Sequence, residues 1–166
     1  RIWATYYGGS DDDGASGTND QMGICTDNSG DLYVTGNTAS SDFPTQTLTG
    51  GYNQTTHGGG NDAFILKFNS SSARIWATYY GGIGGDEGRG ICTDTLDNLY
   101  VTGFTESSNF PTLTFPGAYN QTNSGGSSDA FILWFYEFFA AFTASDDSIC
   151  EGDTVSFTDQ SSDNVI

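Results

Sequence analysis

Two acidic stretches are the first residues whose types could do chemistry. Ser10–Asp11–Asp12–Asp13–Gly14 and Gly85–Asp86–Glu87–Gly88 place Asp11, Asp12, Asp13, Asp86 and Glu87 on glycine-containing loops. Hard carboxylate oxygens on a flexible turn suit Ca²⁺, the one cofactor the sequence suggests. Neither stretch has the alternating Asp spacing and later Glu of a calcium-binding loop, so a solvated acidic turn is the weightier reading. Tyr52–Asn53–Gln54 and Tyr119–Asn120–Gln121 combine an aromatic face with amide donors, which could hold a surface glycan. Against that stands a plainer role, in which Tyr anchors a loop and Asn and Gln bond its backbone. His57, the single histidine, sits beside Gly58–Gly59–Gly60. Nothing marks it as the oriented base of a nucleophilic triad, and it reads as a solvated loop residue. With 21 acids in 166 residues, some carboxylate pair will always lie within reach. Such pairs therefore carry no signal for glycoside hydrolysis, and no enzyme is expected.

The net charge of −17 comes from 21 acids against four bases. Phosphate binding needs clustered Lys and Arg, which disfavours nucleic acid and an anionic membrane surface as partners. No apolar run is long enough to span a bilayer. Aromatics at 14% rule against a disordered composition. The 23 glycines and the scarcity of 3.6-residue periodicity predict short strands joined by turns and almost no helix.

The elements that position these residues are set by a repeat. Arg1–Ile2–Trp3–Ala4–Thr5–Tyr6–Tyr7–Gly8–Gly9 recurs unchanged from Arg74 to Gly82. Gly23–Ile24–Cys25–Thr26–Asp27 returns at Gly90, Leu32–Tyr33–Val34–Thr35–Gly36 at Leu99, and Phe43–Pro44–Thr45 at Phe110, each 67 residues on. Tyr52–Asn53–Gln54–Thr55 and Asp62–Ala63–Phe64–Ile65–Leu66 keep the same offset, returning at Tyr119 and Asp129. The first motif is offset by 73, so six extra residues lie between Gly9 and Gly23. Copy one spans about 1–73 and copy two about 74–136. Each copy predicts four strands, in the first at Gly23 to Asp27, Leu32 to Thr35, Ala63 to Phe68 and Ile75 to Tyr80. Period-2 alternation puts Phe64, Leu66 and Phe68 on one face and Ala63 and Ile65 on the other. Trp76 and Tyr80 share a face opposite Ile75, Ala77 and Tyr79. Sheets apolar on both sides fit blades stacked between neighbours. The long connection between the second and third strands reads as an ordered excursion anchored by Phe43 and Tyr52, and in copy two by Phe110 and Tyr119. Cys25 and Cys92 take equivalent positions, expected too far apart for a disulfide, and read as two small buried thiols.

This ordered set of motifs, present twice across residues 1 to about 136, resembles the bacterial seven-bladed β-propeller repeat known as SBBP. The resemblance implies an all-β fold of four-stranded propeller-type blades, in a large secreted or surface protein of Bacteroidetes-like bacteria. Two copies cannot close a ring of about four to eight blades. Arg1 already lies inside a repeat, so the chain is expected to be a window on a longer protein or a subunit completed by others. From residue 137 the pattern changes. Ala141–Phe142–Thr143–Ala144, Cys150–Glu151–Gly152–Asp153 and Val155–Ser156–Phe157 resemble the first strands of a PKD-type immunoglobulin-like β-sandwich, truncated at 137–166. That resemblance implies a partner for Cys150 outside the chain. The aromatic run Trp134, Phe135, Tyr136, Phe138 and Phe139 reads as a strand buried between domains or, alternatively, as an interface with another chain. Thr95, Ser148 and Thr154 stand in Asp-Ser/Thr-apolar triplets that resemble O-glycosylation sites of such bacteria. Taken together, the sequence points to a non-catalytic structural or adhesive protein of the cell surface, with a carbohydrate-binding propeller as the alternative and a hydrolase fragment as a minor one. Its expected partners are other copies of the chain, neighbouring domains and surface glycans.

Overall fold

The computed structural model describes residues 2–14 and 21–136 in full, and 142–144 and 157–159 as backbone strands. The chain divides into two compact units, Arg1–Phe135 and Tyr136–Ile166. Among the described residues every regular element is a strand, and the sheets are antiparallel and do not close into a barrel.

The first sheet contains β1 (Asp13–Gly14), β2 (Gly23–Thr26), β3 (Leu32–Thr38), β4 (Asp62–Phe68) and β5 (Arg74–Tyr80). β3, β4 and β5 form an antiparallel meander, and β1 and β2 share the outer edge of β3. The second sheet is β6 (Asp86–Thr93), β7 (Leu99–Thr105) and β8 (Asp129–Phe135). Its first strand is the counterpart of β1 and β2 joined. β6 pairs β7 along its length, with a register shift between Gly88 and Gly90. In the first copy the six extra residues enter at that irregularity and split one strand into two. A bulge is where a sheet edge already tolerates an extra residue. Gly103 opposite it has to be glycine, since a Cβ there would lie 1.8 Å from the Glu87 carbonyl oxygen.

The expected alternation holds, and it determines what each face touches. On β4, Ala63, Ile65 and Lys67 face the second sheet, joined by Tyr33 from β3 and Trp76 and Tyr80 from β5. Against them pack Leu99 and Val101 of β7 and Phe131 and Leu133 of β8. The opposite face of the first sheet buries Phe64, Leu66, Phe68, Ala77 and Tyr79 together with Phe43. So the first blade is covered fully on the side of the second sheet, and on the other side over β4 and β5, with Ile24 of β2 exposed.

The excursion between β3 and β4 is ordered, as its length and repeated marks suggested. It runs back along the outer edge of β5, bridging Gln46 to Ala77 and Gln54 to Tyr79. An open strand edge is thereby covered by the chain's own loop. Phe43 is its buried anchor, stacked on Phe64 at 4.9 Å.

In the second unit, β9 (Phe142–Ala144) pairs antiparallel with β10 (Phe157–Asp159). Phe142 falls 67 residues after Ile75, where a fourth strand of the second blade would begin. That segment instead has Phe157–Asp159 as its partner.

Candidate functional site

The acidic residues fulfil roles the composition did not reveal. Asp13 accepts the Gly9 N–H at 2.7 Å and the hydroxyls of Thr38 and Ser40. Asp86 accepts the Gly82 N–H at 2.7 Å and the Ser107 hydroxyl at 2.6 Å. Asp62 takes the Gly58 N–H and Asp129 the Gly125 N–H in the same way. In all four, a carboxylate caps an N–H four residues earlier and closes the turn entering a strand. The signal was available in the sequence as a recurring Gly-x-x-x-Asp.

These uses correct the expected loop placement of two of the acids. Asp86 and Glu87 lie on β6 rather than in a loop, because pairing with β7 extends to Asp86. Asp86 is fully buried, and Glu87 pairs with Arg89 at 3.1 Å. Asp11 and Asp12 point into solvent, while Asp13 is spent on its turn. Among the described residues, no three His, Cys, Asp or Glu side chains cluster as a metal site would require.

Sequence reasoning missed Asp62 as a partner of Asp86. Both are fully buried and each keeps one oxygen, Oδ1, without a hydrogen-bond partner. They flank Gly81, where a Cβ would lie 2.6 Å from Asp62 Oδ1 and 2.8 Å from Asp86 Oδ2. Burial pushes the Asp62 carboxyl up to about 6; the Gly58 N–H and His57 oppose the rise, and the Asp86 charge adds to it. Between pH 4 and 6 the folded state thus holds a proton that the unfolded state releases, so stability falls as pH rises through that window. Asp62→Asn is expected to raise stability at pH 7.5 by about 2–3 kcal/mol and to remove that slope. Urea melts of both proteins from pH 4 to 8 would check this; parallel curves would refute it.

The Tyr-Asn-Gln motif separates into two environments. Tyr52 packs on Tyr80 at 4.6 Å, and its carbonyl accepts the Trp76 indole N–H at 3.0 Å. Asn53 bonds the backbone of Leu48 and Gly51. Gln54 accepts the Gly81 N–H and the Tyr52 hydroxyl through Oε1. In the second copy Asn120 repeats the loop bonds, to Phe115 and Ala118, and Tyr119 again donates to Gln121. Yet Tyr119 is 90% exposed. Its expected role as an anchor is therefore corrected: among the described residues no strand stands over Tyr119 as Tyr80 stands over Tyr52. Tyr52→Ala is expected to cost about 2–4 kcal/mol and Tyr119→Ala less than about 0.5, read as the difference between two urea midpoints.

Other expectations also shift. His57 is half-buried, 3.3 Å from the Thr38 carbonyl and edge-on to Tyr79, because the loop folds back over β5. The two thiols are free, but only Cys25 is even partly buried. Burial, with Cys92 and Asp27 adding charge, pushes the Cys25 thiol up to about 11. Cys92 is exposed; among the described residues no further sheet covers the face it shares with Tyr100. Trp134 is half exposed and stacks on Tyr100 at 6.4 Å, whereas Phe135 is partly buried against Trp76. Tyr136 is exposed, at 36%. Thr95 is exposed in the turn between β6 and β7. Phe138, Phe139, Ser148, Cys150 and Thr154 lie outside the described residues.

What these side chains do together is close turns and stack sheets. Residues 75–111 match the family model described as a beta-propeller repeat, SBBP. The match runs from β5 of the first blade through β6 and β7 of the second, so the sequence repeat crosses the boundary between sheets. No curated protein matches the chain.

Proposed function

We propose that this beta-propeller repeat protein is a non-catalytic structural or adhesive component of a bacterial cell surface, part of a filament or large adhesin. One observation carries the reading: most of the polar side chains that could have formed a site are spent on the fold. Asp13, Asp86, Asn53, Gln54 and Asn120 all bond backbone groups of their own turns and loops. The face of the first blade toward the second sheet, and the β4 and β5 part of its other face, are likewise taken up by packing. The strongly acidic surface fits a soluble extracellular array that repels its neighbours except at matched faces.

Immunogold labelling of intact cells tests the location, and surface label is expected. A glycan array tests the carbohydrate-binding alternative, which rests on the exposed ring of Tyr119 beside Gln121. A glycan retained by the protein and lost in Tyr119→Ala would replace the structural reading with a lectin. Label confined to the cell interior would end the surface reading.

A further inference from the structure

The boundary between the first and second sheets carries two buried carboxylates that meet at one glycine. Asp62 opens β4, Asp86 opens β6, and both are fully buried. Asp62 Oδ1 and Asp86 Oδ2 lie 2.6 and 2.8 Å from the one point that a Cβ on Gly81 would occupy. Oδ2 of each acid is used. On Asp62 it accepts the Gly58 N–H at 2.7 Å and the Gln54 side-chain amide at 3.3 Å. On Asp86 it accepts the Gly82 N–H at 2.7 Å and the Ser107 hydroxyl at 2.6 Å. Oδ1 of each has no hydrogen-bond partner. Such an oxygen has given up water and gained nothing in return, which is costly, and more so when it is charged.

The same place joins the two sheets through their backbones. The Asp86 N–H donates to the Asn61 carbonyl at 2.7 Å. Gly58 runs so close to Gly82 that a Cβ on it would lie 2.2 Å from the Gly82 carbonyl oxygen. The titratable groups around Asp62 are His57 and Tyr52 on the loop before β4, Tyr79 on β5 and Asp86 on β6. From β3 it meets Thr38, whose hydroxyl is donated to Asp13 on β1. Beside Asp86, Glu87 is paired with Arg89, and Glu106 lies next to Gly85. Burial, with the Asp62 charge adding, pushes the Tyr52 hydroxyl up, and burial does the same for Tyr79. Neither tyrosine therefore loses its proton in the range where a carboxyl does.

We propose that a proton on Asp62 Oδ1, donated to the Asp86 carboxylate, clamps the first sheet to the second where β4 and β6 begin, so that this joint is closed in acid and loosens as the pH rises. The proton turns Asp62 from an acceptor into a donor. It removes one of two buried like charges. It also gives the remaining carboxylate a charge-assisted hydrogen bond. The proton is bound below the transition and lost above it, so the clamp is complete in acid and absent in alkali. Once it has left, two like charges remain buried beside Gly81. The contact that yields is the one between residues 58–61 and 81–86, because both carboxylates are tied to it through the Gly58 and Gly82 N–H groups.

Carboxyl-carbon NMR and amide exchange of the 166-residue chain test the proposal. The Asp62 carboxyl carbon should titrate near pH 6, and the Asp86 carbon should report the same step. In Asp86→Asn the Asp62 midpoint should fall by about one pH unit or more, since the proton loses its acceptor and the neighbouring charge is gone. An unmoved midpoint would mean that burial alone holds the proton, and would overturn the clamp. Histidine is the other side chain that gains charge in this range. His57→Gln should leave the step in place; a step that disappears belongs to His57 and overturns the clamp as well. Exchange reads the joint itself. At pH 5 the Gly82 and Asp86 amides should exchange no faster than those of β4, and at pH 7.5 about tenfold faster or more. Asp62→Asn keeps a donor at the joint at every pH and should abolish that difference. Joint amides that track β4 at both pH values sink the proposal, even if Asp86→Asn fails to fold.

Discussion

Ile65→Ala is expected to lower the stability of the first unit by about 4 kcal/mol, while Ile132→Ala changes it by less than about 0.5 kcal/mol in the monomer. The two residues hold the same place in the repeat and the same place on their strands. Ile65 lies between Tyr33, Trp76 and Tyr80 on its own sheet and Leu99, Val101 and Leu133 on the next. Truncation there removes buried methyl groups and leaves a cavity between two sheets that cannot easily close. Ile132 faces water, so truncation removes little. Urea denaturation followed by tryptophan fluorescence measures both. Equal losses at the two sites would mean that the second sheet is covered as the first is, and that the blades do not stack in the order described.

Lys67→Met is expected to cost about 3 kcal/mol, the second largest effect. Lys67 is nearly buried, its ammonium 3.6 Å from Asp27 and 3.3 Å from Asp31, and 4.9 Å from the centre of the Tyr33 ring. Breaking a buried ion pair by removing one partner leaves a carboxylate without its counter-charge, which costs roughly 3–5 kcal/mol. Asp27 retains the N–H groups of Ser29 and Asp31 and the Tyr33 hydroxyl, which holds the loss near the lower figure. The second blade makes the complementary choice. Trp134 replaces the lysine, and Asp94 instead takes the Asn98 side-chain amide at 2.8 Å and the Tyr100 hydroxyl at 3.0 Å. Because the pair is shielded, 1 M NaCl should reduce the difference between Lys67→Met and the unaltered chain only slightly. A loss that vanishes in salt would place Lys67 at the surface.

The strands and their two-sided apolar faces were legible in the sequence, since alternation along a strand is written directly in residue order. Phe64, Leu66 and Phe68 against Ala63 and Ile65 left no other assignment. The exposure of Cys92, Tyr119 and Ile132 was not legible, because burial depends on whether a blade stands beyond the repeat. Identical motifs therefore sit in opposite environments. The turn-capping role of the acids was not legible for a related reason. A carboxylate that caps a turn and one that holds calcium both occur among Gly and Asp, and only the N–H it accepts tells them apart. The Asp62–Asp86 pair crosses from one blade to the next, from the start of β4 to the start of β6, which no local pattern contains. The split of β1 from β2 was half legible: the six extra residues were countable, but not that their place matches a register shift in the other copy.

The covering of β5 by its own loop has a consequence for local opening. β4 is flanked by strands on both sides, and β5 has the Gln46 and Gln54 bridges on its far edge. Their amides should exchange with solvent deuterium only through opening of the whole unit. The β8 amides that face away from β7, with no further strand beside them among the described residues, need only an edge to fluctuate. A gradient of protection across two nearly identical sequences, steep from Ile65 to Ile132, would show in one spectrum how much of a blade's rigidity is lent by its neighbour.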